Sequence, residues 1–241
     1  MAKYKRIVLK ISGESLAGER ANNSILEISI LKEYAKVIKR LVEDGVQVSI
    51  VVGAGNIWRG KIAENMGMDR ATGDYMGMLG TIMNALAIQN MLEQNDVKTR
   101  VMTSLPIDAV AEPYIRRKAI SHLDKGYVVI FGGGTGNPFF STDTAAALRA
   151  SEIGAEAILM AKNGVAGVYS DDPRTNPNAV LYDKITYLDV IQQQLKVMDT
   201  TAVSLCMEND IDLLVFNMSD TENLIRIING EKIGTIIRKE F

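Results

Sequence analysis

One stretch near the middle of the chain combines glycines, hydroxyls and a carboxylate, in residues 132–146, Gly-Gly-Gly-Thr-Gly-Asn-Pro-Phe-Phe-Ser-Thr-Asp-Thr-Ala-Ala. It follows the apolar run Tyr127–Phe131 and leads into Ala145–Ile153, which has the pattern of a helix. Glycines let backbone N–H groups approach oxygen atoms closely, and a helix N-terminus adds partial positive charge. The stretch therefore suits a phosphate or another anion. An ordinary helix cap with Asp143 in the first turn is the alternative.

Two further glycine loops also follow predicted strands. Ser12-Gly13 comes after Arg6–Ile11, and Gly53-Ala54-Gly55 comes after Val46–Val52. Ligands of open parallel sheets bind beyond the carboxyl ends of the strands, so three such loops would share one edge of the sheet. This convergence predicts a phosphate-rich ligand.

Charged residues flank these loops. Lys10 ends the first strand and Arg59 follows the second loop. Phosphoryl transfer depends on positioning and on neutralising the phosphoryl oxygens, so two cations beside a glycine cradle predict a kinase site. Asp143 and Asp199 are the carboxylates that would orient Lys10 or help to hold Mg²⁺. Surface exposure of both cations and helix capping by both aspartates are the alternatives.

Nucleoside recognition is predicted from two other groups of residues. Asp74 directly precedes a predicted methionine-rich helix over Tyr75–Leu92, where it would accept hydrogen bonds from a ribose or act as the helix N-cap. Asn163, Tyr169 and Asp172 surround a later strand and turn, where an aromatic ring would stack on a base.

The elements that must position these residues alternate between strands and helices. Besides the segments given above, we predict helices over Ile28–Leu41, Tyr114–Leu123, Thr201–Asn209 and Leu224–Ile228, and strands over Val97–Thr103, Ala157–Met160 and Leu213–Phe216. This order predicts an α/β fold with a mostly parallel central sheet and helices on both faces. A turn-rich stretch, Asp171–Asn178, is the candidate for a sub-domain seam.

Composition excludes several classes of protein. The 241 residues are 47% hydrophobic and 23% charged, with a net charge of −2, which is typical of a soluble globular protein. Without a basic excess, neither nucleic acid nor an anionic membrane is expected as the main partner. No apolar run reaches membrane-spanning length. The single Cys206 fits a reducing compartment, so a cytoplasmic location is expected, and His122 is expected on a solvated helix face.

An ordered set of motifs resembles the bacterial uridylate (UMP) kinases, a family of the amino-acid kinase superfamily, over essentially the whole length. The matching segments are Tyr4–Glu14, Gly53–Gly60, Asp74–Met78, Thr135–Asp143, Gly167–Pro173 and Lys196–Asp199. The resemblance implies Mg²⁺-dependent transfer of the ATP γ-phosphoryl group to UMP, giving UDP for pyrimidine nucleotide synthesis. It also implies a three-layer sandwich in one domain over 1–241, with an acceptor-binding part over roughly 1–155 and an ATP-binding part over roughly 156–241.

The resemblance assigns residues to two substrates. The ATP set has one group facing the phosphates and one holding the adenosine: Lys10, Ile11, Ser12, Gly13, Gly55 and Arg59, then Asn163, Tyr169 and Asp172. The UMP set has Asp74 on the ribose and a loop that wraps the uridylate: Ala54, Asp74, Thr135, Gly136, Asn137, Pro138, Phe139, Phe140, Ser141 and Thr142. The catalytic candidates are Lys10, Arg59, Asp143 and Asp199, without an assigned metal-ligand set. No general base is needed, because the acceptor phosphate is already an anion.

The family pattern further implies a homohexamer with UTP inhibition and GTP activation, and the chain departs from this pattern at three places. The segment Gly53-Ala54-Gly55 stands where three consecutive glycines are usual, and alanine at position 54 disfavours a positive φ. Residues 20–24 replace a Gly-Phe-Gly-type segment tied to GTP activation, so a GTP response is not expected. Ala166 stands where aspartate is common.

Two other functions remain open at this point. One is a superfamily kinase that phosphorylates a carboxylate, which Asp74 and the segment Asn137–Phe140 argue against, because a small acid needs no ribose partner. The other is a nucleotide-binding sensor or storage protein without catalysis, which Lys10 and Arg59 argue against.

Overall fold

A computed structural model describes residues 2–18, 24–162 and 164–241 of the chain. The strands in these ranges are β1 (Arg6–Ile11), β2 (Gln47–Val52), β3 (Thr99–Thr103), β4 (Glu112–Pro113), β5 (Val128–Gly132), β6 (Ala157–Lys162), β7 (Val168–Tyr169), β8 (Leu181–Tyr182), β9 (Lys184–Thr186), β10 (Asp212–Asn217) and β11 (Thr235–Arg238). The helices are α1 (Gly13–Leu16), α2 (Ile28–Glu43), α3 (Gly60–Asn65), α4 (Arg70–Glu93), α5 (Arg116–Asp124), α6 (Thr142–Ile153), α7 (Tyr187–Gln192), α8 (Thr200–Glu208) and α9 (Glu222–Ile228).

The described strands form a large mixed sheet and a small hairpin-like pair. The large sheet has nine strands in the order β4-β3-β5-β2-β1-β6-β10-β11-β9. Its neighbouring strands run parallel, except that β11 runs antiparallel to β10. Strands β7 and β8 pair antiparallel on either side of the turn-rich segment 171–178. The predicted mostly parallel sheet is confirmed.

Helices cover both faces of the sheet because its central strands are apolar on both sides. Along β1, Ile7, Leu9 and Ile11 pack into the core that α2, α4 and α9 share with the sheet. Val8 points to the opposite face, where α5, α6, α7 and α8 pack. This alternation is the period-two pattern of a strand, and the two cores confirm the three-layer sandwich.

The methionine-rich helix begins earlier than predicted. Helix α4 starts at Arg70 and not at Tyr75, because the Asp69 side chain accepts from the Thr72 backbone N–H at 3.0 Å and caps the helix. Its first turns contain Gly73, where an added Cβ would lie 2.8 Å from the Ala63 side chain. Glycine at this position therefore reflects close packing of α3 on α4, and α3 itself is not predicted from the sequence.

His122 does not lie on a solvated face. Its side chain is only 15% exposed, and its Nε2 atom lies 3.2 Å from Glu112 Oε2. Lys118 Nζ lies 2.6 Å from the same carboxylate oxygen. The edge strand β4 thus supplies a carboxylate that pairs with basic residues of α5.

Among the described residues, no helix is both long enough and apolar enough to cross a membrane.

Candidate functional site

The three glycine loops leave the same edge of the sheet, as predicted, because they follow strands that are neighbours in a parallel arrangement. Strand β2 lies between β1 and β5 and runs parallel to both. The first two loops touch each other: the Gly53 backbone N–H donates to the Ile11 carbonyl at 2.9 Å. An added Cβ at Gly13 would lie 2.5 Å from the Gly55 backbone nitrogen. Glycine at position 13 is therefore required by this close approach.

Lys10 and Asp143 form an ion pair across the site. Lys10 Nζ lies 2.7 Å from Asp143 Oδ1, and the two side chains are 14% and 21% exposed. Asp143 lies in the first turn of α6, which is capped by the Ser141 hydroxyl. Asp143 Oδ1 has no other hydrogen-bond partner. The pair thus links the end of β1 to the start of α6.

A second ammonium group, that of Lys162, ends the neighbouring strand and is not among the predicted site residues. Lys162 ends β6, the strand next to β1, and its Nζ donates to the Val197 carbonyl at 3.1 Å. Burial lowers the pKa of Lys162, while the charge of Asp143 opposes this shift and that of Lys10 adds to it. Lys162 therefore lies close enough to Lys10 and Asp143 to feel both charges, while its Nζ atom bonds to the Val197 carbonyl. The available signal was a lysine directly after the apolar run Ala157–Ala161.

Asp199 links the N-terminal ends of α6 and α8 by hydrogen bonds. It is the N-cap of α8 and accepts from the Ala202 backbone N–H at 3.0 Å. Its carboxylate also accepts from the hydroxyl of Thr144 on α6 at 2.9 Å and from the hydroxyl of Ser141, the N-cap of α6. The capping role considered for Asp199 is therefore present. Both oxygens already have partners, in contrast to Asp143.

Arg59 lies at the surface beside the second loop. Its guanidinium lies 2.8 Å from Glu14 Oε1, with side chains 47% and 58% exposed, and its Nε donates to the Gly55 carbonyl at 3.1 Å. The sequence analysis did not select Glu14. Ser12 accepts from the Ser15 backbone N–H at 3.2 Å, and the Ile11 side chain is fully buried. At position 11, only the backbone is left to face a ligand.

The first cavity lies between the second and third loops and has a volume of about 320 Å³. Most of the predicted UMP residues line it: Ala54, Asp74, Thr135, Asn137, Phe140, Ser141 and Thr142. Gly55, assigned to ATP, also lines this cavity. Gly136, Pro138 and Phe139 do not, and Phe139 lines a neighbouring cavity together with Asp74, Ser141 and Asp199.

Asp74 lies within α4 and is not its N-cap, so that alternative is wrong. Its Oδ2 accepts from the Phe139 backbone N–H at 2.7 Å. Phe139 has a φ of 74°, a left-handed conformation that is strained for a bulky residue. The Arg70 guanidinium lies 5.1 Å from the centre of the Phe139 ring. Asp74 and Arg70 therefore hold the third loop against the first turns of α4.

The second cavity, of about 370 Å³, lies on the other side of the site. Tyr169 and Asp172 line it, as does Lys162. The Asp172 carboxylate lies 2.9 Å from Arg174, an exposed partner that lowers the pKa of Asp172 by hydrogen bonding. Asn163 lies outside the described residues.

No group of three or more histidine, cysteine, aspartate or glutamate side chains with the spacing of a metal site occurs within residues 2–18, 24–162 and 164–241. Mg²⁺ that arrives with a nucleotide does not need one, because it is held by one or two carboxylates together with the phosphates.

Residues 5–217 match the model of the amino acid kinase family. The chain is 54% identical to the uridylate kinase of Pediococcus pentosaceus over 99% of its own length and 98% of the relative's. The chain belongs to the uridylate kinases.

Solved structures agree with this assignment. The crystal structure of UMP kinase from Bacillus anthracis is 45% identical, with a TM-score of 0.95 over 99% of this chain and 97% of the other. UMP kinase from Ureaplasma parvum is 42% identical, with a TM-score of 0.92 over 98% and 100% of the chains. Uridylate kinase from Archaeoglobus fulgidus is 29% identical, with a TM-score of 0.72 over 98% and 100%.

Two departures from the uridylate kinase pattern fit the structure without strain. Ala54 is not among the described residues with a positive φ, and its methyl group is buried. An added Cβ at Gly80 would lie 2.9 Å from the Ala54 methyl, so the glycine on α4 provides the room. Ala166 is exposed and does not line the second cavity. The third departure, at residues 20–24, falls mostly outside the described ranges.

Proposed function

We propose that this uridylate kinase transfers the γ-phosphoryl group of ATP to UMP, giving ADP and UDP. The observation that carries the proposal is the group formed by Lys10, Asp143 and Lys162. Asp143 follows Thr142, which lines the first cavity, and Lys162 lines the second. Charged groups that join two cavities at a sheet edge suit transfer of an anion from one bound ligand to the other.

UMP occupies the first cavity in this proposal, and the ATP adenosine occupies the second. The first is lined by residues between 54 and 142 and the second by residues between 162 and 197, which supports an acceptor part over roughly 1–155 and an ATP part over roughly 156–241. Asp74 accepts from the ribose hydroxyls. The third loop wraps the uridylate, while Tyr169 and Asp172 hold the adenosine.

The chemistry proposed for the site is electrostatic. Lys10 and Lys162 neutralise charge that builds up on the phosphoryl oxygens, and Asp143 keeps both ammonium groups in place. Arg59 contributes from the rim beside the second loop. No residue needs to remove a proton, because the UMP phosphate is already an anion.

Mg²⁺ accompanies ATP in the proposed reaction and supplies further charge neutralisation. Of the two candidate carboxylates, Asp143 fits it better, because Asp199 is committed to the cap of α8 and to the hydroxyls of Ser141 and Thr144.

A coupled assay with UMP, CMP and acetylglutamate offered separately tests the substrate. Turnover is expected with UMP, and turnover with acetylglutamate alone would refute the proposal. Lys10→Ala is expected to lower kcat by about 10²-fold or more while UMP binding, measured by calorimetry, changes little, because the ammonium acts mainly in the transition state. Equal losses in rate and binding would show that Lys10 is a ground-state contact.

The chain is also proposed to form a homohexamer in the cytoplasm and to be inhibited by UTP. An apolar stripe on α4 supports self-association: Tyr75, Met76, Leu79 and Met83 are between 37% and 53% exposed. Light scattering after size-exclusion chromatography gives the number of subunits, and a monomer would refute the assembly.

A further inference from the structure

A fully buried amide lies beneath the second glycine loop. Asn84 belongs to α4, and its neighbour Ala85 packs into the apolar core between α4 and the sheet. A primary amide in such a place is costly unless its donors and its acceptor have partners. A polar side chain at this position therefore needs an explanation other than packing.

Within the described residues, the side-chain hydrogen bonds of Asn84 all go to Gly53, which begins the second loop, and to Asn56, which directly follows it. Its Nδ2 donates to the Gly53 carbonyl at 2.7 Å and to Asn56 Oδ1 at 2.8 Å. Its Oδ1 accepts from Asn56 Nδ2 at 3.0 Å. The amide nitrogen and the amide oxygen are both used, so Asn84 fixes both ends of the second loop, at Gly53 and at Asn56.

Asn56 connects Asn84 to the first loop, because its side chain packs against Gly13. Its Oδ1 lies 2.5 Å from the position that a Cβ of Gly13 would take, so the Asn56 amide stands directly against the Gly13 backbone. Its Nδ2 also donates to the Ile25 carbonyl at 2.6 Å. A change in the orientation of Asn56 would therefore alter the space at Gly13.

We propose that Asn84 is a positioning residue for phosphoryl transfer, which holds the two loops that face the ATP phosphates in register through Gly53 and Asn56. The inference rests on the proposed function, since it assumes that these loops bind phosphates. Asn84 lines neither cavity, so in this proposal it does not contact either substrate. Its effect on the reaction is indirect, because it sets the position of the loop backbone.

The test compares Asn84→Leu and Asn84→Asp with a matched control, Ser49→Ala. Ser49 is also fully buried and donates to the Ile7 carbonyl at 2.9 Å, far along β2 from the loops. Both Asn84 variants should lose kcat by about 10- to 100-fold, because small misplacements of catalytic groups have effects of this size. The KM for UMP should change less than kcat, because Ala54 and Gly55 of the second loop line the first cavity but most of its lining comes from α4 and the third loop. Ser49→Ala should lower the melting temperature while kcat is retained.

A double-mutant cycle with Asn56→Ala separates this role from general destabilisation. If Asn84 acts through Asn56, the losses in kcat should be clearly less than additive. Additive losses, or unchanged kcat in the near-isosteric and folded Asn84→Asp protein, would overturn the inference. A wild-type protein that does not phosphorylate UMP would instead refute the proposed function, so the two failures are distinguishable.

Discussion

Replacing Asp143 by asparagine tests the centre of the proposed site, because it keeps the shape of the side chain and removes its charge. Two unit charges 2.7 Å apart attract by about 6 kcal/mol at an effective dielectric constant of about 20, before the cost of desolvation. The Lys10 and Asp143 side chains are 14% and 21% exposed, so the pair is intermediate in burial. A surface pair is worth about 0–1 kcal/mol, and breaking a buried pair costs about 3–5 kcal/mol. We expect Asp143→Asn to lower the free energy of unfolding by about 2 kcal/mol.

The same substitution should change catalysis more than stability. Without the carboxylate, Lys10 is free to leave its position, and kcat should fall by about 10²-fold. Asp143 also raises the pKa of Lys162 against the effect of burial. When that charge is removed, the pKa of Lys162 falls further, so the ammonium is lost at a lower pH. The alkaline limb of the pH–rate profile should therefore move to lower pH.

Kinetics between pH 6 and pH 10 and urea unfolding measure both effects. Glu33→Gln is the matched control, since it removes an exposed carboxylate that pairs with Lys36 at 2.6 Å on α2. This control should change the free energy of unfolding by less than about 1 kcal/mol and leave the pH profile in place. If Asp143→Asn keeps kcat within about threefold of wild type, the carboxylate does not orient Lys10 for transfer.

Three further predictions concern single residues. Lys162→Met should raise the free energy of unfolding most, relative to wild type, below the folded pKa of Lys162. This gain in unfolding free energy should shrink as the pH rises towards 10.5, because wild type then buries a neutral amine. Urea unfolding at several pH values measures it, and a gain that is constant with pH would contradict the prediction. Phe139→Gly should be more stable than Phe139→Ala by about 1 kcal/mol, because the φ of 74° strains any residue with a Cβ, and chemical denaturation of the two variants decides. Burial raises the pKa of Cys206 to about 12, so the thiol should react with iodoacetamide at pH 8 only in denaturant; labelling of the native protein would contradict this.

Local signals were sufficient to predict the sheet and the three glycine loops at its edge. The run Val46–Val52 is almost wholly apolar, as a strand covered on both faces must be, and it forms β2 over Gln47–Val52. Glycines that directly follow such strands predicted loops at one edge. This inference needed only the parallel direction of the strands, which the alternation of strands and helices provides.

Partners distant in sequence could not be predicted in the same way. The sequence offered Asp143 and Asp199 for Lys10, and it offered no carboxylate for Arg59. Helix α6 places Asp143 on Lys10 and turns the hydroxyls of its first turns towards Asp199. The choice depends on how α6 and α8 pack together, and no local pattern contains that information.

The start of α4 shows the same limit within a few residues. Asp69 and Asp74 both have the side chain of an N-cap, and a capping preference alone does not separate them. In the structure Asp69 is the cap, and the Trp58 indole N–H, distant in sequence, donates to the Gly73 carbonyl at 2.8 Å in the turn that contains Asp74. Asp74 is thereby placed one turn into the helix, where its carboxylate reaches Phe139.

The position of Lys162 in the site could be predicted once the strand order was known. In the parallel pairing of β1 with β6, Lys10 lies opposite Met160. Side chains alternate along a strand, so Lys162, two residues beyond Met160, projects from the same face as Lys10. That face is the one on which α6 packs, because Val8, two residues before Lys10, belongs to the core shared with α6. A lysine that ends a neighbouring apolar strand with this parity must share the environment of Asp143. The register of a single strand pair therefore carries the prediction of a second cation in the site.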